Sequence, residues 1–153
     1  LGAAPELGAL IGGAAPEVAQ LYREFGANLG RAFQLRDDIL GIWGDEKQTG
    51  KSAASDIVTK KKSLPVVLAL NHEGVGKRLR VLYAGPDFTP EHVPAVLSLL
   101  DEAGVRRATE QAVLDATARA HAALGAIATS GGNGNAAHGL LGELLELLVD
   151  RMS

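Results

Sequence analysis

Two adjacent carboxylates, Asp37 and Asp38, stand inside an apolar run, with Leu35, Ile39, Leu40, Ile42 and Trp43 around them. Removing unpaired carboxylates from water costs roughly several kcal/mol per ion, so something must offset the cost. A hard divalent cation is one candidate. Magnesium takes one or two carboxylates and fills its octahedron with water and phosphate oxygens. Ordinary solvation, or pairing with Arg36 or Arg31, is the alternative. Gln34 precedes the pair by three and four residues, which puts its amide on roughly the same face of a helix.

A second cluster follows. Gly50-Lys51 comes after a polar stretch, then Asp56, then Lys60-Lys61-Lys62. A lysine run by itself reads as a solvated helix face. Beside a metal-binding acid pair, flexible ammonium groups suit a phosphate-rich ligand: the metal bridges some oxygens and the lysines neutralise others.

The elements that must position these groups read as helices. Leu7, Leu10 and Ile11, ending in Gly12-Gly13, look like the tail of a helix that begins earlier. Pro16 and Glu17 open a long amphipathic helix over about 16–42, with Val18, Leu21, Tyr22, Phe25, Leu29, Ala32, Phe33 and Leu40 at mostly three- and four-residue steps. Residues 44–50 are a loop by composition. A second helix starts near Asp56 and runs to Leu70, with Pro65 expected to kink or restart it. Val75 to Tyr83 is a short helix, and Gly85-Pro86-Asp87 a turn. Thr89 as N-cap and Pro90 open a helix ending near Gly104. Val105 to Ala128 is a long helix. Residues 130–135 form a Gly-rich loop, and Leu140 to Val149 a last apolar helix. The expected fold class is all-α, with five to seven helices in a single domain over residues 1–153.

Composition agrees. Of 153 residues, 46% are hydrophobic and 22% charged, and the net charge is −3. The absence of a basic excess makes nucleic acid a poor partner. No apolar run is long enough to span a bilayer. With no cysteine in the chain, disulfides, zinc–thiolate sites and thiol nucleophiles are excluded, and a reducing cytoplasm is compatible. The start lacks a basic n-region and an initiator methionine, and reads as the interior of a longer protein. His72, His92, His121 and His138 show no metal-ligand spacing. Trp43 reads as core or cavity wall. Residues 131–134 lack the strand and Gly-Lys-Ser/Thr of a phosphate loop.

The segment Phe33-Gln34-Leu35-Arg36-Asp37-Asp38-Ile39-Leu40, followed by Gly44-Asp45, Thr49-Gly50-Lys51, Ser55-Asp56 and Lys61-Lys62-Ser63-Leu64-Pro65, resembles the second aspartate-rich region of trans-isoprenyl diphosphate synthases. The resemblance is specific over about residues 33–65. It implies the C-terminal half of an isoprenoid-synthase-like bundle of long helices around a cavity, usually dimeric, so that a homo-oligomer is expected. It implies Mg2+ as cofactor, and allylic diphosphate and isopentenyl diphosphate as substrates. Asp37 would be the main metal ligand and Asp38 its supporting carboxylate, while Gln34, Lys51 and Lys61 would contact the diphosphate.

Two departures accompany the resemblance. The family's motif is often Asp-Asp-x-x-Asp, and here its fifth position is Gly41. The first aspartate-rich motif has no counterpart in the 153 residues, so the chain alone is expected to be inactive. Two other readings remain: a piece of a class I terpene cyclase, and a non-catalytic helical subunit that partners a complete synthase.

Overall fold

The computed structural model describes residues 1–44, 54–83, 85, 88–130 and 136–150. All regular structure among them is helical, with eight α-helices and one 3-10 turn, one helix more than the sequence pattern suggested. They are α1 (Ala3–Ile11), α2 (Pro16–Trp43), α3 (Ser55–Val58), α4 (Leu64–Leu70), α5 (Gly76–Tyr83), the turn Pro90–His92, α6 (Val93–Glu102), α7 (Val105–Thr129) and α8 (Ala136–Asp150). No helix among the described residues is long and apolar enough to cross a membrane. The polar stretch 45–50, Lys51, Pro86-Asp87 and the Gly-rich run 131–135 lie outside the described residues.

The chain packs as two compact units, one of residues 1–34 and 112–153, the other of residues 35–111. The first is built on the stripe Tyr22, Phe25 and Leu29 of α2, buried with Ala120, Ala123, Leu124 and Ile127 of α7 and Leu145 of α8. Their spacing of three and four residues is what turns one helix face to a core. Phe33, counted with that stripe from its spacing, is half exposed. Leu7, Leu10 and Ile11 of α1 form an apolar pattern but bury nothing fully, and Ile11 is 87% exposed.

The second unit carries the larger core: Ile42, Ile57, Val66, Ala69, Val75, Leu79, Tyr83, Val96, Leu99, Leu100 and Val105. Trp43 packs against its edge, with the Arg106 guanidinium 5.7 Å above its ring. Pro65 does not kink one helix; it restarts the chain. α3 ends at Val58, Ser63 is extended (φ −71°, ψ 161°), and Pro65 sits in the first turn of α4. A proline there loses no hydrogen bond, because first-turn N–H groups have no intrahelical partner. Thr89 caps the next element as expected, but what it opens is a 3-10 turn that passes into α6, with the Thr89 N–H donating to His92 Nδ1 at 3.1 Å. Gly104 (φ 63°) separates α6 from α7, in the left-handed conformation that glycine adopts without a Cβ penalty.

Candidate active site

Inside the second unit, α2 delivers Asp37 and Asp38 to the segment joining α3 to α4. The Lys61 ammonium sits among three carboxylates, 3.2 Å from Asp37 Oδ2, 3.1 Å from Asp38 Oδ1 and 2.9 Å from Asp56 Oδ2. The two neighbouring aspartates differ sharply in environment: the Asp37 side chain is 46% exposed and that of Asp38 only 7%. Asp38 also accepts the Leu64 backbone N–H at 3.0 Å, taking one of the first-turn donors that α4 cannot satisfy internally. Asp38 thereby ties α2 to the start of α4, while Asp37 keeps oxygen surface open to water.

Lys61 owes its place to a constrained backbone. Its N–H donates to the Asp56 carbonyl at 2.9 Å, closing the turn after α3. Ala54 before that turn and Lys60 within it both hold positive φ, 57° and 55°. The Tyr83 hydroxyl donates to the Lys61 carbonyl at 3.3 Å from beneath. Burial opposes the charge on Lys61, but its contacts with Asp56, Asp38 and Asp37 overcome that and hold its pKa well above the ordinary lysine value. Tyr83 is pushed up to about 12, first by burial and then by the charge of Asp56.

The three consecutive lysines therefore part ways. Lys60 donates to the Gly85 carbonyl at 3.1 Å and lies 5.1 Å from the Phe88 ring centroid. Lys62 is exposed. Lys61 alone of the three meets the acid pair.

Gly41, at the fifth position of the acidic motif, faces Asp56. A Cβ built on Gly41 would fall 2.5 Å from Asp56 Oδ2 and 2.7 Å from Oδ1, inside their contact radii. The Asp56 carboxylate thus occupies the space that a side chain at 41 would need. Its Oδ2 is buried and lies 2.9 Å from the Lys61 ammonium, the contact that does most to hold Lys61 charged.

Of the residues the sequence points to, the structure brings together Asp37, Asp38 and Lys61. Gln34 is exposed and falls in the first unit, and Lys51 lies outside the described residues. Asp56 and Tyr83 are additions. Asp56 was visible in the sequence as part of the second cluster and of the Ser55-Asp56 step in the family resemblance, but without an assigned role. Tyr83 had no local signal, being 22 residues from the carbonyl it supports.

The donors are hard oxygens beside a cation, a set that fits magnesium as an open half-site. Among the described residues no three acids or histidines are spaced to hold a metal by themselves. Magnesium is ordinarily bound through one or two carboxylates plus substrate phosphate, not through an all-protein cage.

Comparison with known proteins gives the family of the chain. The polyprenyl synthetase family model matches residues 1–100. A (2E,6E)-farnesyl diphosphate synthase of Mycobacterium tuberculosis is 38% identical over 112 residues, covering 70% of this chain and 31% of the relative. The crystal structure of a polyprenyl synthetase from Streptomyces coelicolor superimposes with a TM-score of 0.76 at 40% identity, over 82% of this chain and 40% of that one. A geranylgeranyl pyrophosphate synthase from Corynebacterium glutamicum, solved with isoprenyl diphosphate and magnesium, superimposes with a TM-score of 0.74 at 28% identity, over 95% of this chain and 40% of that one. The chain spans about a third of the length of the curated relatives it matches. With an all-helical fold and an acid pair held against a lysine, the chain belongs to the polyprenyl synthetase family.

Proposed function

We propose that this chain carries the second carboxylate half of a magnesium-dependent trans-prenyltransferase site, which binds the diphosphate of an allylic substrate for condensation with isopentenyl diphosphate. The observation that carries the reading is the meeting of Lys61 with Asp37 and Asp38, in a member of this family. Asp37 presents exposed carboxylate oxygen to a cation, and Asp38 orients it by fixing α2 to α4. Lys61, already protonated, offers its ammonium to diphosphate oxygens, with Gln34 and Lys51 as further polar contacts. Magnesium, when bound, supplies charge neutralisation for the departing diphosphate.

Asp-Asp occurs once in the 153 residues, at 37–38. We infer that turnover needs a second, facing carboxylate cluster, and that this chain alone binds magnesium diphosphate weakly and does not elongate prenyl chains. A cytoplasmic setting and a homo-oligomeric state belong to the same reading.

The test is calorimetric titration of inorganic pyrophosphate into the chain, with and without magnesium, beside Asp37→Ala and Lys51→Ala. Magnesium-dependent binding lost in both variants supports the half-site. Magnesium-independent binding, or binding unchanged in Asp37→Ala, refutes it.

A further inference from the structure

The acidic motif lacks a carboxylate at position 41, yet three carboxylates surround Lys61. We propose that Asp56 is a positioning residue, seated against the bare α-carbon of Gly41, that aims the Lys61 ammonium at the Asp37–Asp38 pair and supplies the cluster's third negative charge from α3.

Three observations converge. Gly41 stands in the last turn of α2, still at a helical position, where glycine has lower helix propensity than alanine. The contact is specific: the nearest atoms to a Cβ at 41 are all of the Asp56 carboxyl group. Asp56 is itself buried, makes the shortest of the three contacts to Lys61, and shares one closed turn with it through the Lys61 N–H. In this chain's geometry a side chain at 41 would meet the Asp56 carboxylate. A side chain at 41 ejects the carboxylate and leaves the ammonium without its nearest partner. As a contribution to diphosphate binding, this role rests on the functional reading above; as a coupling among residues 41, 56 and 61, it does not.

The experiment is a three-position cycle on the whole chain, by urea unfolding, using Gly41→Ala, Asp56→Ala and Lys61→Met in all combinations. Alone, Gly41→Ala raises the unfolding constant about tenfold, the usual scale of overpacking. With Asp56→Ala present it becomes neutral or stabilising, because the obstructing atoms are gone. Lys61→Met destabilises the parent, and that loss shrinks in both the Gly41→Ala and the Asp56→Ala backgrounds. The last result separates positioning from mere crowding, which would leave the Lys61 contribution untouched. An equal loss from Gly41→Ala with and without Asp56 overturns the proposal, as does a Lys61→Met loss that neither background changes. If Gly41→Ala alone does not fold, the pair Gly41→Ala with Asp56→Ala must fold; failure of both is also refuting. Absent pyrophosphate binding by the parent would sink the functional reading and leave this cycle standing.

Discussion

Replacing Asp38 by alanine removes an acceptor from the Leu64 N–H and a carboxylate from Lys61, while replacing its neighbour Asp37 removes a carboxylate from Lys61 only. The Leu64 N–H is part-buried, and a donor left without its charged partner costs about 1–3 kcal/mol. The ion-pair component is discounted to about 1 kcal/mol or less, since the Lys61 side chain is 36% exposed and screened by solvent. Asp38→Ala is therefore expected to cost about 3 kcal/mol. Asp37→Ala, at a side chain 46% exposed, should cost less than about 1 kcal/mol. Both exchanges gain the same helix propensity, so it cancels in the comparison. The difference of about 2 kcal/mol is roughly thirtyfold in the unfolding constant. Far-UV circular dichroism through urea and thermal unfolding reads it directly, and pyrophosphate calorimetry on the same samples reads function. The expected pattern is crossed: Asp37→Ala keeps the fold and loses magnesium-dependent binding, whereas Asp38→Ala loses stability as well. Equal destabilisation by the two substitutions would show that Asp38 does not tie α2 to α4 and would refute the division of labour.

Alkaline pH should weaken the second unit. Lys61 is a base whose pKa is raised on folding, so its stabilising contribution is complete below the ordinary lysine value of 10.5 and is lost as pH climbs past it. Tyr83, raised to about 12, acts in the same sense, because the unfolded phenol releases its proton near 10 and the folded one does not. The phenolate absorbance lost on Tyr83→Phe should rise near pH 12, and a rise near 10 would contradict the packing described. Leu7, Leu10 and Ile11 of α1 and Leu140, Leu144 and Leu147 of α8 leave apolar surface open in the first unit, so the chain should self-associate; light scattering that gives a monomer at high concentration would count against this. In the core, Leu79→Ala should cost about 3–5 kcal/mol in urea unfolding, since the side chain is fully buried.

The long helices were legible because their apolar residues repeat with the helical period, and α2 begins at Pro16 where the proline signal put it. Spacing alone did not reveal which apolar stripe meets a partner: Leu10 and Phe33 obey the pattern and stay open to solvent. Of the acid pair, Asp37 and Asp38 were legible because charge inside an apolar run demands compensation, while Lys61 was marked out from its neighbouring lysines only by the family resemblance. The remainder was not, because it depends on contacts between distant stretches. Asp38 meets Leu64 across 26 residues, and Tyr83 meets Lys61 across 22. Gly41 looked like a missing acid in one dimension; in three it is the room in which another acid sits.

α3 is a single turn, Ser55–Val58, held between two left-handed residues, Ala54 and Lys60. A helix of four residues has almost no cooperativity of its own, so its persistence is borrowed from Ile57, buried in the core of the second unit, and from the ion pair of Asp56 with Lys61. Asp56 and Lys61 travel on that same short piece of chain. Local opening there removes both from the cluster in one event, and reclosing restores both. A ligand that needs Lys61 therefore captures the closed turn, and its measured affinity includes the work of annealing this turn.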